Sequence, residues 1–237
     1  MDANDFARVI EQGRCVQEKF TELGLVAVGG TAAALHCAHR FSMDVDCVSP
    51  HLQERFAETA DALEHWEGWT TNRLNPPVLI LGERHGVELG LRQQRRALPL
   101  VTTRIEGLLV PTPEEMLRVK AFLLVQRRTT RDYVDVAALA HKLGEGAAVQ
   151  ALSYLNAAYA RAGSQTVATR FAEACEADPL DLPKVPLTAY KGLQPPFTEW
   201  NFVAGTCRKT GRALLKRELE SGLPQQADAA FFNPGQA

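Results

Sequence analysis

Asp44 and Asp46 stand two residues apart in the run Met43 to Val48, where apolar residues alternate with the acids. That alternation reads as a β-strand, and on a strand two such positions share a face, with their Cα atoms about 7 Å apart. Carboxylates aimed the same way are hard oxygen ligands, suited to Mg²⁺ held jointly with phosphate oxygens and water. Upstream, the apolar run Leu25 to Val28 is stopped by Gly29-Gly30-Thr31. A strand, a side-chain-free turn and then a helix let backbone N–H groups and a helix N-terminus approach a phosphate. Arg40 and Ser42 lie just before the acids, placed to contact a phosphate or to fix the turn. Glycine turns, solvated strand-end acids and surface arginines are each common alone. Their occurrence in this order between Val26 and Val48 points to a site for a metal-bound polyphosphate.

A second block, Pro111 to Leu139, carries charge in unusual places. Pro113, with Glu114 and Glu115 in the first turn, opens a helix running to about Gln126. Met116, Leu117, Leu123 and Leu124 define an apolar stripe on it, and Lys120 falls inside that stripe. A lysine there either snorkels to water or meets an anion. The next helix begins near Thr130 and reaches about Leu143, where Gly144 can stop it. Asp132 shares a face with Val136, Leu139 and Leu143 and so points inward. Arg128 with Asp132, and Arg131 with Asp135, have the spacing for local pairs.

The segment GGTAAALHCAHRFSMDVD resembles the first motif of the DNA polymerase β-like nucleotidyltransferases, and more closely that of the AbiEii/AbiGii-type toxin nucleotidyltransferases. PTPEEMLRVKAFLLVQRRTTRDYVDVAAL is similar to that family's later motifs, a lysine in one helix and then an Arg/Asp-rich start to the next. The resemblance implies a nucleotidyltransferase that moves a nucleoside monophosphate from a nucleoside triphosphate to an acceptor hydroxyl, with Mg²⁺ as cofactor. It implies catalytic roles for Asp44, Asp46, Lys120 and Asp132, with Asp44 and Asp46 as metal ligands. Nucleotide contacts fall to Gly29, Gly30, Thr31, Arg40, Ser42, Arg128 and Arg131. Such enzymes often add a third carboxylate from a neighbouring strand, and the candidate is Glu88 in HGVELGLRQQR. The implied acceptor is RNA, with the 3′ end of tRNA as the example, and the setting a toxin–antitoxin or abortive-infection system with a cognate antitoxin. Two alternatives stand beside it: a small-molecule enzyme of the aminoglycoside-modifying kind, and a non-catalytic nucleotide-binding module that keeps the fold.

The positioning elements follow from pattern. A helix over about Asp5 to Leu23 has Phe6, Val9, Ile10, Val16 and Phe20 near helical spacing. Thr31 can cap an alanine-rich helix to about His39, and a further helix spans His51 to His65. Strands are expected at Val78 to Leu81, Val87 to Leu91 and Ile105 to Val110. The fold class is α/β, a polymerase β-like core with a mixed sheet followed by a C-terminal helical region. Residues 1–111 form the core and 112–177 a helical region completing the site, while 178–237 hold a proline-rich connection, a basic helix from Arg208 to about Glu220, and a disordered tail.

Composition narrows the field further. No apolar stretch approaches the roughly 20 residues a membrane helix needs, so no membrane partner is expected. Cys15, Cys37, Cys47, Cys175 and Cys207 are scattered without a CxxC pair, which argues against a zinc ribbon or a disulfide scaffold. With no export signal at the start, a cytoplasmic location is the expectation. The chain carries −2, yet Arg84 to Arg131 holds ten basic residues against four acidic ones. Arg92, Arg95, Arg96 and Arg104 form a basic cluster compatible with a polyanionic acceptor, and the helix Arg208 to Arg217 can add to it. Trp66 and Trp69 read as core caps, and His36 and His39 as structural.

Overall fold

A computed structural model describes residues 3–96, 98–159 and 165–221. The expected tail lies outside the described residues. The chain divides into two compact units, one of residues 1–35, 41–97 and 102–111, the other of 36–40, 98–101 and 112–237.

The first unit is built on a five-stranded mixed sheet of order β1-β2-β5-β4-β3. Its strands are β1 (Val26–Val28), β2 (Asp44–Ser49), β3 (Trp69–Asn75), β4 (Leu79–Arg84) and β5 (Val87–Gln93). Only β2 and β5 pair in parallel; the other neighbours are antiparallel. One face of β2 buries Val45, Cys47 and Ser49, and helix α1 (Ala3–Lys19) packs on that side of β2 and β5. Val9, Ile10, Val16 and Phe20 are buried as their spacing predicts, each contributing about 1.5–3 kcal/mol by leaving water. Trp69 is buried, and Trp66 stacks on it with the Arg84 guanidinium 4.1 Å from its ring centroid, so this pair closes the core edge.

Three local expectations change. Helix α2 (Gly29–Cys37) starts at the first glycine, directly after β1, so Thr31 is not its cap. Its hydroxyl instead donates to the Asp44 carbonyl and ties the helix to the head of β2. The expected helix from His51 is shorter, α3 (Phe56–Glu64). The strand expected over Ile105 to Val110 is a hairpin, β6 (Thr102–Ile105) and β7 (Leu108–Pro111), turned at Glu106-Gly107, both with positive φ.

The second unit is helical. In α4 (Pro113–Arg127) Thr112 caps the N-terminus by accepting from the Glu115 N–H, and Arg128 ends the helix in the left-handed region. α5 (Thr130–Leu143) stops at Gly144, and α6 (Glu145–Leu152), α7 (Leu155–Ala158) and α8 (Val167–Glu176) follow. α9 (Trp200–Ser221) packs on α5, α6 and α8. The basic helix therefore begins eight residues before Arg208, and the preceding stretch is a series of turns with a short 3₁₀ segment, Leu187–Ala189. That stretch is pinned: the Leu180 N–H donates to the Arg128 carbonyl and the Gln194 N–H to the His39 carbonyl.

Candidate active site

In the sheet unit, β2 presents Asp44 and Asp46 on its half-exposed face. Gly29, at φ +73°, a conformation that disfavours any residue with a Cβ, lies across from Asp46: a Cβ there would sit 3.6 Å from Asp46 Oδ2. Gly29 and Gly30 are both half-exposed, so their backbone can be reached from solvent. Ser42, buried, donates its hydroxyl to Asp44 Oδ1 at 2.8 Å. Thr31 is fully buried with its hydroxyl spent on Asp44, so it offers a ligand nothing and serves to tie α2 to β2.

The parallel register places Glu88 beside Asp44 and Gly90 beside Asp46. Gly90 shows no chemistry in the sequence, yet a Cβ there would fall 2.4 Å from Asp46 Oδ1 and 3.1 Å from Leu81 Cδ2. Its missing side chain is what lets the Asp46 carboxylate lean over β5. There Asp46 Oδ1 accepts from Arg92 Nε at 2.9 Å, with Arg92 41% and Asp46 30% exposed. Arg92, read from the sequence as part of a basic surface, is thus turned toward an acid.

The donor set fits a magnesium ion of the kind completed by substrate phosphates and water. Asp44 and Asp46 share a face, and each keeps Oδ2 without a hydrogen bond among the described residues. Glu88 is exposed on that face, and Glu83 stands opposite it on β4. Among the described residues no three His, Cys, Asp or Glu side chains gather closely enough to hold an ion by themselves. The protein therefore offers a partial shell. Gly90→Ala is expected to push Asp46 aside, weakening Mn²⁺ binding about 10- to 100-fold and costing about 1–3 kcal/mol in a urea unfolding curve.

The helical unit gathers the other predicted residues into a buried charge network. Lys120 Nζ lies 2.6 Å from Asp135 Oδ2 and 3.4 Å from Asp132 Oδ1. Arg40 grips Asp135 with Nε at 2.8 Å and Nη2 at 2.9 Å, and His39 Nε2 is 2.8 Å from Asp135 Oδ1. Thr129 donates its hydroxyl to Asp132 Oδ2. Asp132, Asp135, Lys120, His39 and Arg40 are all buried. Burial alone would raise the Asp135 carboxyl, but the Arg40 and Lys120 charges and the His39 and Arg40 hydrogen bonds hold it well below the usual range.

Arg40 and Ser42, two residues apart in sequence, thus belong to different units: Arg40 to this network, Ser42 to the sheet. The local pairs expected for Arg128 and Arg131 do not form. Arg128 donates to the Asp178 carbonyl, and Arg131 is exposed. Asp135, which the sequence offered as a local partner for Arg131, is the hub.

Much of the basic character is spent internally. Arg118 is buried against Glu115 at 2.8 Å, and Arg84 donates to Gln12. On α9, Arg212 grips Glu176 through bonds of 2.6 and 2.8 Å, Lys209 meets Glu145 and Arg208 meets Asp178. Arg95, Arg104, Arg127 and Arg131 remain exposed. Cysteine chemistry has no support here. Burial pushes the Cys37 thiol up to about 12 and the Cys47 thiol higher, and Cys47 is on the buried face of β2.

No protein-family model matches the chain, and no curated protein matches it in sequence. Among solved structures it is similar to a candidate nucleotidyltransferase from H. pylori, at 15% identity and a TM-score of 0.53, covering 93% of this chain and 99% of that one. It is also similar to JHP933 from Helicobacter pylori, at 16% identity and a TM-score of 0.52, covering 94% and 97%. The antibiotic-resistance factor ANT(2'')-Ia matches 62% of this chain and 90% of its own, at 15% identity and a TM-score of 0.47. At such identities the likeness is one of fold. The chain has the nucleotidyltransferase fold, a mixed five-stranded α/β sheet followed by a C-terminal helical region. Among the described residues no helix is long and apolar enough to cross a membrane.

Proposed function

We propose that the protein is a nucleotidyltransferase of the polymerase β-like kind, transferring a nucleoside monophosphate from a nucleoside triphosphate to an acceptor hydroxyl. The observation that carries this reading is the open face of β2. Two acids share that face, each has an uncommitted oxygen, and a side-chain-free helix start lies against one of them. Asp44 and Asp46 would hold Mg²⁺, which when bound offsets charge on phosphate oxygens and lowers the pKa of the attacking hydroxyl. The half-exposed backbone of Gly29 and Gly30 at the start of α2 is the part that can meet the phosphates, and Thr31 behind them holds the helix to Asp44. The acceptor oxygen forms a bond to the α-phosphorus as the bond to the bridging oxygen breaks, and pyrophosphate leaves. Ser42 fixes Asp44 by its hydrogen bond. Glu88, exposed beside Asp44, is the carboxylate available to take the hydroxyl proton or to complete the ion's shell. Lys120, Asp132 and Arg40 contribute from inside the buried network by holding the helical unit in shape, and Arg128 and Arg131 flank its α4–α5 turn.

RNA, with the tRNA 3′ end as the first candidate, is the acceptor this reading favours. The AbiEii-type motifs support it, as do exposed Arg95 and Arg104. The corresponding role is that of a toxin restrained by a cognate antitoxin. Incubation with α-labelled triphosphates and total RNA, beside Asp46→Ala, is expected to label RNA only with the intact protein. Label appearing instead on an aminoglycoside would replace the acceptor and keep the reaction. Triphosphate bound but transferred to neither would leave a nucleotide-binding module and end the enzymatic reading.

A further inference from the structure

The Arg92–Asp46 pair occupies part of the acid that the proposed reaction needs. Register explains how. Arg92 stands beside Val48, one step along the face from Asp46, and Gly90 between them carries no side chain to separate the two. Only Nε of the guanidinium is used, on Asp46 Oδ1. Its two terminal nitrogens make no hydrogen bond among the described residues and stand on the half-exposed face. An arginine held by Nε and open at its fork is shaped to receive phosphate oxygens.

We propose that Arg92 is a positioning residue that couples metal and triphosphate at this site, an inference that rests on the nucleotidyltransferase reading above. With nothing bound, Arg92 neutralises Asp46 and competes with a cation for it. A triphosphate offers the guanidinium a better partner, draws it from Asp46 and releases that carboxylate for the ion. Cation alone and triphosphate alone therefore each bind less well than the two together, and by linkage each raises the other's affinity by the same factor. No covalent step is involved. The consequence is a site that loads only weakly with free divalent cation in the absence of its nucleotide.

The test uses the full chain and two probes titrated separately. Mn²⁺ binding is followed by electron paramagnetic resonance, and inorganic triphosphate binding by calorimetry in chelator. Arg92→Met is expected to bind Mn²⁺ about ten-fold tighter and inorganic triphosphate about ten-fold weaker than the natural protein. Opposite signs are what a merely structural arginine would not produce. Arg92→Gln, which keeps a polar side chain, is expected to shift both affinities in the same directions by less. Mn²⁺ affinity unchanged or reduced in Arg92→Met, while Asp46→Ala abolishes it in the natural background, overturns the coupling and leaves the enzymatic reading intact. Mn²⁺ binding that ignores Asp46→Ala overturns that reading itself, and this inference with it.

Discussion

Asp46→Asn is expected to lower nucleotidyl transfer by at least about 10³-fold, roughly 4 kcal/mol of transition-state stabilisation, with little change in stability. Asparagine keeps the shape, and its amide oxygen can still accept from Arg92 Nε. What disappears is the negative charge that a divalent ion and its phosphates need on this face. Stability is insulated because the Asp46–Arg92 pair is partly exposed, 30% and 41%, and such pairs are worth under about 1 kcal/mol once solvent screens them. Single-turnover transfer of an α-labelled triphosphate, read beside urea unfolding, separates the two effects. A rate within ten-fold of the natural protein would mean that Asp46 is a solvated strand residue. The same rate loss accompanied by a collapsed unfolding midpoint would mean that the variant had failed structurally.

Local signals carried the reading where the determinant was itself local. Pro113 and Gly144 bracket α4 and α5 because a proline at the first turn and a glycine at the end act on their own backbone. Thr31 was a local signal that misled. It has the type and place of a cap, but β1 runs straight into the helix at Gly29, so the hydroxyl lies past the cap position and finds Asp44 instead. Strand β3 gave no alternation because it is an edge strand exposed along most of its length. The roles of Gly90 and Arg92 depend on the parallel register of β2 on β5, which is set by everything folded between residues 50 and 86 and leaves no trace in spacing. Arg40 looked like a neighbour of Asp44 by sequence; its partner Asp135 is 95 residues away. The two acids and the glycine turn were legible, and the partners that tune them were not.

Asp135→Asn is expected to destabilise the fold by about 3–5 kcal/mol, the usual cost of removing one partner from a buried ion pair. The carboxylate receives Arg40 through two nitrogens, Lys120 at 2.6 Å and His39 at 2.8 Å. An amide would leave two buried cations short of charge and turn an NH₂ donor toward one of them. Asp132→Asn should cost less, since Lys120 keeps Asp135 and the Asp132 contact is longer, 3.4 Å. The pH dependence follows from the same geometry. A carboxyl whose folded pKa is depressed contributes stability that is fully present above its unfolded value, about 3.9, and is lost as pH falls through the folded value. The stability gap between the natural protein and Asp135→Asn should therefore stay constant from pH 7 down to about 5 and narrow only as pH falls past that unfolded value. Urea unfolding across this range measures it. A gap under about 1 kcal/mol at neutral pH, or one that narrows between pH 7 and 5, would show that Asp135 is not the charge holding Arg40 and Lys120 inside the helical unit.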